Sequence, residues 1–277
     1  MIHVDDGRSQ LSPGLTMHEY MHGIKSMKDK INVAIEVIKI MPINGCITGS
    51  VFLPGFDPDV WSCTPDVDVF VYSQNDLVKA VTFAEHSLKM KPGTGSDRSE
   101  KQERWKLDRL FKSGLNYKIG ITTYKFYCDG VIINFTYKMF KEQGKWVPIN
   151  DAPSVLRSFD MSIVLQAYDI NSHIMYDLRP DNVPVTTAIP NPMRDHDCVM
   201  WTVRKWVRQF DRVVKYYNRG FDTRPTAEFY LKMIDECIDA GCLFDSDESH
   251  EAFEAFSEEF LEKRAVIADW LEEHKDD

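Results

Sequence analysis

Two apolar, β-rich runs, Tyr117 to Tyr127 and Val131 to Lys138, meet at Asp129-Gly130. Asp-Gly between such runs is the strongest short-range signal for a two-residue hairpin, because that turn needs residues that accept positive φ. It commits the middle of the chain to an antiparallel pair, and a stable sheet needs more strands than two. Asp66-Val67-Asp68-Val69-Phe70-Val71-Tyr72 supplies another: it alternates and is rich in β-branched residues. Gly45-Cys46-Ile47-Thr48 is a shorter apolar run leading to Gly49-Ser50. Helices are expected from Met27 to Ile40, opened by Ser26 with Asp29 three residues on and closed before Pro42, and from Asn75 to Lys89. Residues 91–102, KPGTGSDRSEKQ, read as a polar, mobile loop followed by a short helix to Lys112; no Gly-Lys-Ser/Thr closes it, so it is not a P-loop. Ser162 to Tyr168 reads as a strand or a helix start. Beyond the proline-rich stretch Pro180 to Pro192 the pattern is helical throughout, over Val199–Asn218, Thr226–Ala240 and Glu248–His274. The expected class is α+β: a mixed sheet flanked by helices in residues 1–182, then an all-helical domain in 183–277.

Composition removes several alternatives. A chain of 277 residues with 43% hydrophobic side chains can bury a core without disulfides or a structural metal. Its six cysteines are scattered with no C-x-x-C pair, as expected of reduced thiols without a chemical role. No window approaches the ~20 apolar residues of a membrane span. The N-terminus carries Asp5 and Asp6 where a secretory signal would have an apolar core. A cytoplasmic protein with no membrane partner is expected. The formal charge of −10 is unevenly spread: residues 235–277 hold 16 acids against 3 bases, which leaves +3 for the rest. An acidic helical tail of this kind is either a solvated face or a surface for a protein partner.

The chemically informative group is Gly49-Ser50 followed by Asp66-x-Asp68. Side chains alternate along a strand, so the two aspartates share a face about 7 Å apart along the backbone. They repel each other unless a cation intervenes. Mg²⁺ favours carboxylate oxygens and is commonly completed by substrate phosphates, so such a pair suits phosphoryl transfer. A glycine lets backbone N–H groups approach a triphosphate, and the neighbouring hydroxyl can bond a terminal phosphate oxygen. Strand-end acids that merely face water give the same D-x-D pattern.

Taken in order, helix, strand, Gly-Ser and D-x-D strand resemble the nucleotidyltransferase-fold superfamily, which includes DNA polymerase β, poly(A) polymerases and CCA-adding enzymes. The resemblance runs from about Met27 to Asp169, with a spacer slightly longer than usual. It implies that Asp66 and Asp68 are catalytic metal ligands for Mg²⁺ or Mn²⁺, and that Gly49 and Ser50 hold the phosphates of an NTP. Many members carry a third carboxylate on a later strand; here Val131-Ile132-Ile133-Asn134-Phe135-Thr136-Tyr137 places Asn134 there, and Asp129 sits in the hairpin turn. Asp160-Met161-Ser162 resembles the nucleotide-contacting motif of bacterial CCA-adding enzymes and poly(A) polymerases, which assigns Asp160 to nucleotide binding. The two arginines that precede that aspartate in the family are Ser158 and Phe159 here, with Arg157 nearby. The function so implied is transfer of a nucleoside monophosphate to a hydroxyl, with an RNA 3′ end, a small molecule and a protein hydroxyl all compatible. The rival is a catalytically silent binding or regulatory module of the same fold.

Two further patterns bear on partners. Arg204, Arg208, Arg212, Lys215 and Arg219 fall within an arc of about 80° on one helix. Such a rail can track phosphates of RNA or of an NTP, or pair with acids of the same chain. His18-Glu19-Tyr20-Met21-His22 matches the H-E-x-x-H zinc motif, but it has no third ligand at the usual spacing and Gly23 follows at once. It reads as a polar N-terminal turn.

Overall fold

A computed structural model describes residues 3–4, 14–61, 66–113, 121–142, 145–193, 209–239 and 250–275. The chain divides into two compact units, Met1–Ser158 with Val164–Leu178, and Phe159–Ile163 with Arg179–Asp277.

The first unit is built on a mixed sheet. Its strands are β1 (His3–Val4), β2 (Gly45–Thr48), β3 (Asp66–Val71), β4 (Lys91–Pro92), β5 (Ile121–Cys128), β6 (Val131–Glu142), β7 (Lys145–Pro148), β8 (Gln166–Asp169) and β9 (Ile174–Asp177). They run in the order β1-β9-β8-β2-β3-β6-β5-β4, with β7 also pairing β6. Among the described strands β3 and β6 are parallel neighbours and the other pairs are antiparallel. The Asp129-Gly130 hairpin forms as expected, both residues taking positive φ of 47° and 92°.

Burial fixes the register that matters most. Along β3, Val67, Val69 and Val71 are buried and the alternate residues only partly so. Each buried valine contributes roughly 1.5–3 kcal/mol. A one-residue slip would expose all three and drive Asp66 and Asp68 into the core. The valines pack in one continuous core with Ile31, Val37 and Ile38 of α2 (Met27–Lys39) and Leu77, Ala80 and Val81 of α3 (Gln74–Thr82). Ser26 caps α2 by accepting from the Asp29 amide at 3.3 Å.

Several expectations are corrected. The segment read as a polar turn is a short helix, α1 (Met17–Met21), because Met17 and Met21 are buried in this core and Thr16 and Glu19 form a capping box. The loop read over residues 91–102 is mostly ordered: β4 is followed by α4 (Asp97–Ser113), whose first turn Ser96 closes by accepting from the Ser99 amide. The helix expected to reach Lys89 leaves α geometry at Phe83, where a π turn bonds the Leu88 amide to the Phe83 carbonyl. After α5 (Ala152–Arg157), the undecided stretch from Ser162 becomes a short 3₁₀ turn and then β8.

The second unit is helical, with α6 (Phe210–Tyr217), α7 (Arg224–Asp239) and α8 (His250–Glu273). Phe210, Val213, Ala227, Tyr230, Ile234, Ile267 and Trp270 form its own core. The helical reading of 199–208 lies outside the described residues. No helix among the described residues is long and apolar enough to cross a membrane.

Candidate functional site

The antiparallel register of β2 and β3 sets Thr48 opposite Asp68, and the parallel register of β3 and β6 sets Asp68 opposite Asn134. Three adjacent strands therefore bring the end of β2, the D-x-D pair and Asn134 to one place. Thr48 is pinned from the other side, its hydroxyl donating to the Gln166 carbonyl of β8 at 2.7 Å.

Gly49 follows with φ 92° and ψ −155°, a region that is essentially restricted to glycine. A Cβ there would lie 2.8 Å from Asp68 Oδ2. Glycine at this position thus serves the conformation and the close approach of the carboxylate together. Ser50 is buried and opens a 3₁₀ turn over Ser50–Phe52.

Asp66 and Asp68 are half-buried on the face opposite the three valines. The Asn134 side-chain amide donates to both, at 3.3 Å to Asp66 Oδ2 and 2.9 Å to Asp68 Oδ1. The two carboxylate oxygens are therefore separated by at most the sum of those distances, about 6.2 Å. Asn134 is only 7% exposed, and its own Oδ1 is buried without a hydrogen-bond partner. Sequence reasoning had placed Asn134 at the third-acid position but missed its bond to both aspartates. The parallel β3–β6 pairing that creates it joins strands 60 or so residues apart, with no local signal.

The two carboxylates form a hard, all-oxygen donor pair, which fits a cation such as Mg²⁺ or Mn²⁺, while the Asn134 side chain meets them with its nitrogen and its buried Oδ1 has no hydrogen-bond partner. Among the described residues no cluster of three or more His, Cys, Asp or Glu is gathered for a metal. Asp66 and Asp68 are the residues here that could hold such an ion. His18 and Glu19 are otherwise engaged: His18 Nδ1 lies 2.8 Å from Asp129 Oδ2, and the Glu19 carboxylate accepts from the Thr16 amide and hydroxyl.

Asp160 belongs to the second unit. It is 1% exposed and pairs with Arg212 Nη2 at 3.4 Å. Burial works against the charge on Arg212, but Asp160, Tyr216 and Tyr230 together more than offset it and hold the guanidinium pKa above its ordinary value. Arg212, Lys215 and Arg219 all lie within 6 Å of the buried Tyr216 ring, at 5.9, 5.7 and 5.6 Å from its centroid. Arg204 and Arg208 lie outside the described residues.

At the opposite ends of β2 and β3 is an open cleft of about 610 Å³, lined by polar residues that include Asn44, Asp76, Lys79, Asp151 and Asp169. Sequence reasoning did not find it. Asp169 is fully engaged there, accepting from Tyr72 at 2.5 Å and from the Asn171 and Ser172 amides.

No protein-family model matches the chain, and no curated protein does. Among solved structures the chain is similar to an apo form of a CCA-adding enzyme, with a TM-score of 0.35 and 11% identity. The match covers 82% of this chain and 51% of that one, so the chain spans about half the length of that enzyme. A likeness this remote carries no argument about chemistry, which rests on the geometry of the site itself.

Proposed function

We propose that the chain is a metal-dependent nucleotidyltransferase that moves a nucleoside monophosphate from an NTP to a hydroxyl acceptor. The observation that carries this reading is the convergence of a glycine-only turn at Gly49 on the paired carboxylates of Asp66 and Asp68. Asp66 and Asp68 would hold Mg²⁺ or Mn²⁺, and the metal supplies charge neutralisation on the triphosphate and the departing pyrophosphate. Gly49 presents no side chain to approaching phosphates, and the Ser50 hydroxyl is assigned to a phosphate oxygen. The acceptor oxygen bonds to the α-phosphorus as its bond to the β-phosphate oxygen breaks. The hydroxyl proton goes to a carboxylate of the pair, since Asn134 has no basic oxygen. Asp160 is assigned to the nucleotide. Arg204, Arg208, Arg212 and Lys215 are assigned to phosphates of the nucleotide or of an RNA acceptor, and the acidic C-terminal helices to a protein partner. Such an enzyme works where NTPs are plentiful, in the cytoplasm.

A specific observation also favours a silent binding module: the Asn134 amide already satisfies both carboxylates without a cation. One experiment separates the two. NTPs radiolabelled at the α-phosphate are offered with Mg²⁺ or Mn²⁺ to a mixture of cellular RNA and protein, beside Asp66→Asn and Asp68→Asn. Transfer by the native chain that vanishes in both variants, with their folding intact, is the expected result. No transfer to any acceptor, with nucleotide binding retained in the native chain and both variants, would establish the silent module.

A further inference from the structure

We propose that Asn134 is a two-position residue of the D-x-D site: its amide nitrogen faces the aspartates when no cation is present, and its amide oxygen turns to them as a neutral third ligand when a divalent cation binds. This rests on the reading of Asp66 and Asp68 as metal ligands and gives that site a feature of this chain's own.

A side-chain amide has two N–H donors and an oxygen with two lone pairs. The donor end of Asn134 is spent on both aspartates, at 3.3 and 2.9 Å, while its Oδ1 is buried and lacks a hydrogen-bond partner. Ionised carboxylates only accept, so the nitrogen must face them in the absence of a cation. The residue is 7% exposed, so water does not readily make good the deficit at Oδ1.

A dication between the carboxylates reverses both preferences. The N–H groups would then point at a positive charge, and an oxygen would be attracted to it. A half-turn of the terminal amide exchanges nitrogen for oxygen with almost no change of shape. The pairing of Asp68 with Asn134 across β3 and β6 fixes the backbone on both sides, so the exchange requires no movement of the strands.

A third carboxylate would place three anions together, destabilising the cation-free fold and strengthening cation binding. An amide gives the opposite balance: a cation-free site held together internally, and a net charge of −2 that a single divalent ion neutralises. Asn134 thereby sets how tightly the resident ion is held.

The test follows the side-chain amide of Asn134 directly, by NMR of the full chain selectively labelled with ¹⁵N-asparagine, with Mn²⁺ and Mg²⁺ as probes. Mn²⁺ should broaden one side-chain amide pair most strongly, the pair that Asn134→Asp removes. Mg²⁺ should shift that same pair away from its hydrogen-bonded position, and EDTA should restore it. By calorimetry, Asn134→Asp should bind Mg²⁺ ~10-fold tighter or more, as expected when a site gains ligand charge. Its melting temperature should fall in EDTA and recover with Mg²⁺. If Asn134→Asp does not fold, the two titrations of the native chain still decide the matter. Mn²⁺ broadening without a Mg²⁺-induced shift of the pair would overturn the rotation while leaving the metal site standing. No broadening, no shift and no heat of binding would overturn the metal reading itself, and the rotation with it.

Discussion

Gly49→Ala tests the geometry of the site most directly, because two separate effects act on one added methyl. The backbone there has φ 92° and ψ −155°, and holding a non-glycine residue in that region costs about 1–3 kcal/mol. The added Cβ would also lie 2.8 Å from Asp68 Oδ2, closer than such contacts allow, so the carboxylate must move. Moving it disturbs the 2.9 Å bond from Asn134, worth about 1.5–3 kcal/mol when the acceptor is charged. The half-buried setting places the combined cost at about 2–4 kcal/mol, or a fall in Tm of roughly 4–16 °C for a unit of this size. Gly55→Ala provides the control: Gly55 also has positive φ, 68°, but a Cβ there meets nothing within 4 Å. It should lose only the backbone component, about 1–2 kcal/mol. Urea denaturation of the three proteins gives the stabilities, and Mn²⁺ binding gives the state of the carboxylates. Gly49→Ala should lose more stability than the control and bind Mn²⁺ at least tenfold more weakly, a difference of about 1.4 kcal/mol. If the two variants are equally stable and Gly49→Ala binds Mn²⁺ like the native chain, the close packing of Gly49 on Asp68 is not what positions the pair.

The second unit and the thiols yield two further predictions. Arg212→Leu removes the guanidinium paired with the buried Asp160 and should destabilise the protein by about 2–4 kcal/mol, below the full value for a buried pair because Arg212 is itself 39% exposed. Its raised pKa stays far above working conditions, and stability from a raised pKa is lost only as pH rises through the folded-state value, so the deficit measured by urea denaturation should be constant from neutral to mildly alkaline pH. A deficit that disappears within that range would contradict the pairing. Burial pushes the Cys128 thiol up to about 11 and raises that of the fully buried Cys46 further still. In alkylation followed by peptide mapping at pH 8, Cys128 should react about tenfold or more slowly than a free thiol, allowing for the greater nucleophilicity of the thiolate it does form. Cys46 should react only on unfolding, and equal rates at the two positions would refute this account.

The parts of the fold that were legible in the sequence are those written in short-range pattern. The alternation of Asp66 to Tyr72, the cap at Ser26 and the turn at Asp129-Gly130 each specify a local conformation with a few adjacent residues, and each forms. What escaped was written in long-range contact. KPGTGSDRSEKQ has the composition of a loop, but Ser96 starts a helix within it, and Leu107 and Leu110 bury that helix against the core. The hairpin of β8 and β9 turns on Asp169, whose carboxylate accepts from two amides beyond it, an arrangement of side chain and backbone that apolar alternation does not announce. The short helix carrying His18 is likewise held by Met17 and Met21 reaching a core assembled from residues far along the chain.

The candidate site divides along the same line, and the division bears on its chemistry. Asp66 and Asp68 share a face because strands alternate, which any reader of the sequence can deduce. Their relation to Asn134 depends on which strand lies beside β3 and in what register, and the sequence specifies neither locally. Read as a list of ligands, an asparagine in the third position is a missing acid. In the sheet it is a donor bonded to both carboxylates, at 2.9 and 3.3 Å, so it relieves the repulsion that would otherwise weigh against keeping the pair in a cation-free protein. Retention of both aspartates therefore does not distinguish an enzyme from a silent module, because Asn134 stabilises the pair in either case. The distinction passes to what a divalent cation does to the Asn134 amide and to whether an NTP then loses its pyrophosphate.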